Sequence, residues 1–202
     1  MELINSPKRH ELQVTATDPR CVALRNRYGD TASLYRKFAP VNIDYITRNL
    51  GKSVEAGVPP LVMVMRTYGR QAVETLLADH LTAMLVRMGR PVSDVESIER
   101  VAANICEVAQ ARTLNLALVL GFFKAVELAE HEDYEIYNAA PIQVMKAFRK
   151  YCARAAARQE RLLREKERKE RASVKEEYVK PDFDIVAEIQ RRLKQDKENN
   201  KH

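Results

Sequence analysis

The chain has 202 residues, 46% of them hydrophobic, and its 34 Lys and Arg against 28 Asp and Glu leave a formal charge of +6. That length allows one main domain with an appendage, and the apolar share is enough for a sizeable core. Six glycines are less than half the usual frequency of roughly 7%, which sets aside glycine-built phosphate loops.

Residues 1–28 are polar, with Pro7 and Pro19, and read as a flexible N-terminal arm. The first ten carry Glu2, Lys8 and Arg9 and no apolar stretch, so no signal peptide is expected there. Asp30 is placed to cap a short helix ending at Phe38, before Pro40. Asn42 is placed to cap a second, residues 43–50, whose Ile43, Ile46 and Leu50 share a face. Residues 51–60, ending in Pro59-Pro60, read as a linker.

From Leu61 the pattern is helical throughout. A short apolar turn runs to Tyr68, and a broad stripe from Ala72 to Met88 stops at Gly89 and Pro91, the order expected at a helix C-terminus. Ser93 and Glu96 have the spacing of a capping box for a helix carrying Val95, Ile98, Val101, Ala102, Ile105 and Val108 on one face. Asn115 is placed to cap residues 116–129, apolar almost all round and therefore predicted to be the central buried helix. Gly121 within it costs about 1 kcal/mol against Ala, which a close-packed neighbour would explain. A polar connection over 130–140 leads to Pro141, suited to a first helical turn. The following helix keeps Ile142, Met145, Phe148, Cys152, Ala155 and Leu162 on one face and becomes highly charged from Gln159 to Arg171. A small amphipathic segment over 184–194 and a disordered end complete the chain.

The fold class is therefore all-α: a compact multi-helix bundle over residues 29–158, followed by a charged helical extension and tail over 159–202. The longest apolar run, residues 116–123, is eight long, too short to span a membrane, which takes about 20. Three cysteines at wide spacing, Cys21, Cys106 and Cys152, offer neither a disulfide framework nor a zinc knuckle and suit a reduced, cytoplasmic setting. Cys106 and Cys152 fall on apolar faces and are expected to be buried. His80 reads as a surface histidine. His131 stands beside Glu132 and Asp133 but has no second histidine nearby, so no metal site is expected. No cofactor fingerprint and no serine-hydrolase spacing is present, and no catalytic residue can be named.

Residues 146–171 hold eleven Lys or Arg and four Glu, a local charge of +7 that leaves the remainder of the chain at −1. Within them Lys146, Lys150, Arg154 and Arg158 follow one another at i+4 with no acid among them, a ridge of roughly 18 Å that can track phosphates. The bland alternative is a solvated face whose distal charges pair internally, as Glu160 with Arg164 would. A second candidate surface joins Phe122 to the Tyr134–Tyr137 corner as a groove for a partner helix, beside the alternative that this corner closes the core.

Residues 61–158 resemble a family of uncharacterised all-helical bacterial and phage or mobile-element proteins. The likeness lies in the Tyr68-Gly69 step, the run from Leu114-Asn115-Leu116 to Phe122-Phe123-Lys124, the Tyr134-x-x-Tyr137 corner, and the helix with Met145, Phe148, Arg149 and Tyr151. The family carries a glycine between its corner aromatics, where this chain has Glu135-Ile136. The resemblance implies an accessory role beside replication genes, such as helicase loading or template binding. The expected function is thus a non-enzymatic accessory protein of DNA replication or maintenance, with DNA and a helicase or other replication protein as partners and no membrane partner. The competing expectation is a protein-interaction module or homo-oligomer that binds no nucleic acid and uses Ile142, Met145, Phe148, Cys152 and Leu162.

Overall fold

The computed structural model describes residues 18–92 and 94–178, with side chains to residue 172. The chain divides into two units, Met1–Leu162 and Leu163–His202. All regular structure among the described residues is helical, apart from one isolated bridge between Pro60 and Asn115.

The helices are α1 Pro19–Tyr28, α2 Thr31–Phe38, α3 Ile43–Arg48, α4 Leu50–Glu55 and α5 Leu61–Tyr68. They are followed by α6 Arg70–Arg87, α7 Val95–Glu107, α8 Ala109–Thr113, α9 Leu116–Glu127 and α10 Pro141–Tyr178. Short 3-10 turns at Pro40–Asn42 and Glu132–Tyr134 complete the set. As expected, α9 is the centre: every residue from Leu116 to Val126 except Lys124 is buried. It packs against α3, α4, α5 and α6, while α6 and α7 lie against each other.

Local chemistry accounts for most boundaries. The Asp30 carboxylate accepts from the Ser33 amide, and the Asn115 side chain accepts from the Ala117 amide. Both use a short polar side chain to satisfy first-turn donors that have no partner within the helix. Four sequence expectations are corrected. Pro19–Tyr28, assigned to the flexible arm, is a helix capped by Asp18, with Cys21 and Tyr28 in the core. The supposed linker contains α4, which buries Leu50 and Val54. Asn42 does not cap α3; its amide donates to the Arg36 and Lys37 carbonyls and so closes the end of α2. At α7 the cap is Asp94, which accepts from Ser97. Ser93, residues 1–17, the 184–194 segment and the chain end lie outside the described residues.

Asn115 joins three elements. Its side-chain amide donates to the Ser53 carbonyl in α4, its carbonyl oxygen caps α9, and its backbone amide donates to Gln159 of α10. Gln159 and Leu162, placed by the sequence in the extension, thus lie in the first unit, where Leu162 packs on the core. In the second unit α10 continues from Leu163, with Lys166 paired to Glu170 at 3.8 Å.

Candidate nucleic-acid interface

The inner side of α10 belongs to the core. Val144, Met145, Phe148, Tyr151, Cys152 and Ala155 are buried, and the Phe148 and Tyr151 rings meet Phe122 edge-on at 5.0 and 5.5 Å. This burial removes Met145, Phe148 and Cys152 from the self-association surface. Ile142, expected on the same face, is instead 85% exposed. It stands in the first turn of the helix, where no described residue covers it.

The proposed partner groove is not formed. Phe122 has no exposed surface and is enclosed by Phe123, Phe148 and Tyr151; Tyr134 is buried against Tyr151 and His131. Only Tyr137 reaches the surface, with the Arg90 guanidinium 5.3 Å over its ring. The corner closes the core. His80 is also relocated: it is fully buried, stacked at 5.6 Å on Phe123, with Nε2 donating to the Phe38 carbonyl at 2.7 Å. Cys106 and Cys152 are buried as expected, and burial pushes both thiols up to about 12, far from a thiolate nucleophile at neutral pH.

The outer side of α10 carries the cations. Lys146, Arg149, Lys150, Arg154, Arg158 and Arg161 are all exposed. They do not form one uniform ridge. Lys150 and Arg154 both reach Asp133 in the preceding corner, Arg154 Nη2 at 2.7 Å from Oδ2 and Lys150 Nζ on Oδ1. Arg154 also donates to the Tyr134 hydroxyl at 3.1 Å and to His131 Nε2 at 2.9 Å, and lies 5.3 Å over the Tyr134 ring. Hydrogen bonds from Arg154 and then Lys150 hold the Asp133 carboxyl down at about 2, so it is ionised throughout the neutral range. The acid that interrupts the ridge stands 17 and 21 residues before its two partners, where a scan along the helix does not meet it.

Lys146 and Arg158, the ends of the expected ridge, make no ion pair with a described residue, and neither do Arg149 and Arg161, which are exposed elsewhere around the helix. Sequence reasoning had passed over Arg149 and Arg161 because they fall off the i+4 series. The signal that finds them is the burial of the opposite face, which turns a wide arc of α10 toward solvent. Among the described residues no group of three or more His, Cys, Asp or Glu is arranged to hold a metal, and no helix is long and apolar enough to cross a membrane. Compared with protein-family models, with curated proteins and with solved structures, the chain matches none.

Proposed function

We propose that this chain is a non-enzymatic accessory protein that holds nucleic acid, DNA in the first instance, by its phosphates on the outer side of α10. The observation that supports this reading is the set Lys146, Arg149, Arg158 and Arg161: four exposed cations without an ion-pair partner among the described residues, spread from one flank to the other of the exposed arc of a helix anchored in the core. Cations held on a rigid element lose less entropy on meeting a row of phosphates than cations on a loose segment. Phosphate contact carries affinity without sequence preference, which suits an accessory role. The setting, a cytoplasmic replication or maintenance assembly of a phage or mobile element with a helicase or other replication protein nearby, rests on the resemblance of residues 61–158.

The test is binding of duplex and single-stranded oligonucleotides by fluorescence anisotropy between 50 and 200 mM salt. Four phosphates neutralised on a duplex give a slope of about −3.6 in log K against log salt, an affinity loss of about 150-fold over that range. The combined variant Lys146→Glu, Arg149→Glu, Arg158→Glu, Arg161→Glu is expected to lose this binding. Wild type binding no tighter than that variant at 50 mM salt would overturn the reading, and leave a protein-only interaction module in its place.

A further inference from the structure

Two cations in the middle of the α10 arc are held by one carboxylate that comes from outside the helix. Each oxygen of Asp133 takes one of them, Oδ1 from Lys150 and Oδ2 from Arg154. A nucleic-acid phosphate offers the same chemistry, an anion with two or more oxygens to share between a lysine and an arginine. The cations stay within reach of solvent, at 45% and 44% side-chain exposure, while Asp133 is the more covered at 23%. His131 and Tyr134, flanking Asp133, supply the remaining partners of Arg154. The whole grip therefore comes from residues 131–134. On either side along the helix, Lys146 and Arg158 have no ion pair to a described residue.

We propose that Asp133 is an intramolecular stand-in for a phosphate, which withholds Lys150 and Arg154 from nucleic acid and so limits the affinity of the α10 face. This deepens the phosphate-binding reading and rests on it. Asp133 itself titrates far below neutrality, so its carboxylate stays charged and keeps its hold on both cations through the neutral range. The device keeps non-specific affinity low.

The experiment compares wild type with Asp133→Asn on the same duplex over 50 to 200 mM salt. Releasing two cations is expected to steepen the slope by about 1.8, so that the variant loses about twelvefold more affinity than wild type across the range. Adding Lys150→Gln and Arg154→Gln to Asp133→Asn is expected to restore the wild-type slope. Lys150→Gln, Arg154→Gln with Asp133 intact is expected to keep the wild-type slope, and this arm reads out the same question should Asp133→Asn fail to fold. Wild type binding with its own slope while Asp133→Asn is unchanged or shallower overturns the stand-in and leaves phosphate binding standing. A loss of slope of about 1.8 in the double variant does the same. Absence of any wild-type binding at 50 mM removes both readings together.

Discussion

Gly121 of α9 and Tyr151 of α10 are fitted to each other: a β-carbon on Gly121 would lie 2.7 Å from the Tyr151 hydroxyl, which itself donates to the Leu118 carbonyl at 2.7 Å. The interior glycine is therefore the space in which a buried tyrosine reaches the α9 backbone. Gly121→Ala is expected to destabilise by about 0–2 kcal/mol, overpacking of about 1–3 kcal/mol less the roughly 1 kcal/mol that alanine gains in helix propensity. Tyr151→Phe alone should cost about 1 kcal/mol for the lost hydrogen bond. In the Tyr151→Phe background the alanine should become neutral or stabilising. Chemical denaturation of the four proteins measures this coupling, and simple additivity would exclude the contact as the reason for the glycine.

His80 makes stability depend on pH. A carbonyl can only accept, so the proton is on Nε2, and buried Nδ1 has no hydrogen-bond partner among the described residues. Burial first, with Arg87 adding to it, pulls the imidazole from 6.5 to about 4 against the opposing Phe38 carbonyl and Asp79. The folded state thus binds its proton less readily than the unfolded state. Its contribution is fully present above about pH 6.5 and lost as pH falls through about 4, on the order of 3 kcal/mol in total. His80→Gln can keep a donor to Phe38 without titrating. It is expected to flatten the dependence between pH 6.5 and 4 in denaturant titrations, and an unchanged slope there would place the acid sensitivity elsewhere.

Asn115→Ala is expected to cost about 2 kcal/mol, since it deletes the α9 cap and the bond to the Ser53 carbonyl together. Gln159→Ala should cost less, about 1 kcal/mol, because it removes the partner of one backbone amide and a longer, exposed bond to the Thr113 carbonyl at 3.3 Å. Urea midpoints order the two variants, and the reverse order would contradict the placement of Asn115 at the junction.

Phe122→Ala is expected to behave as a core deletion, with a loss of about 3–5 kcal/mol, because three aromatic rings surround a side chain without exposed surface. A stable variant that had lost only partner binding would restore the groove reading. Thermal melts decide between the two.

The caps at Asp30 and Asn115, the stop at Gly89, the proline start of α10 and the central place of α9 were legible in the sequence, because each depends on residues within one or two turns of one another. Apolar periodicity likewise marks the faces of α6 and, with the exception of the exposed Val95, of α7. The same periodicity marks which face is apolar without showing what stands opposite it, so Ile142 lies exposed while Met145 and Phe148 of the same face are buried. His80 was assigned to a surface from which Phe38 and Phe123 exclude it.

The sequence by itself determined that the chain is helical, that α9 is its centre, and that positive charge concentrates on the last long helix. Only the tertiary structure decided which of those charges are committed. Asp133 meets Lys150 and Arg154 because the 131–134 turn folds back onto α10, and Phe122 is lost to the surface because α10 covers it. Helix formation is governed by neighbours three and four residues apart, whereas charge pairing and burial are governed by neighbours in space that the chain brings together from a distance.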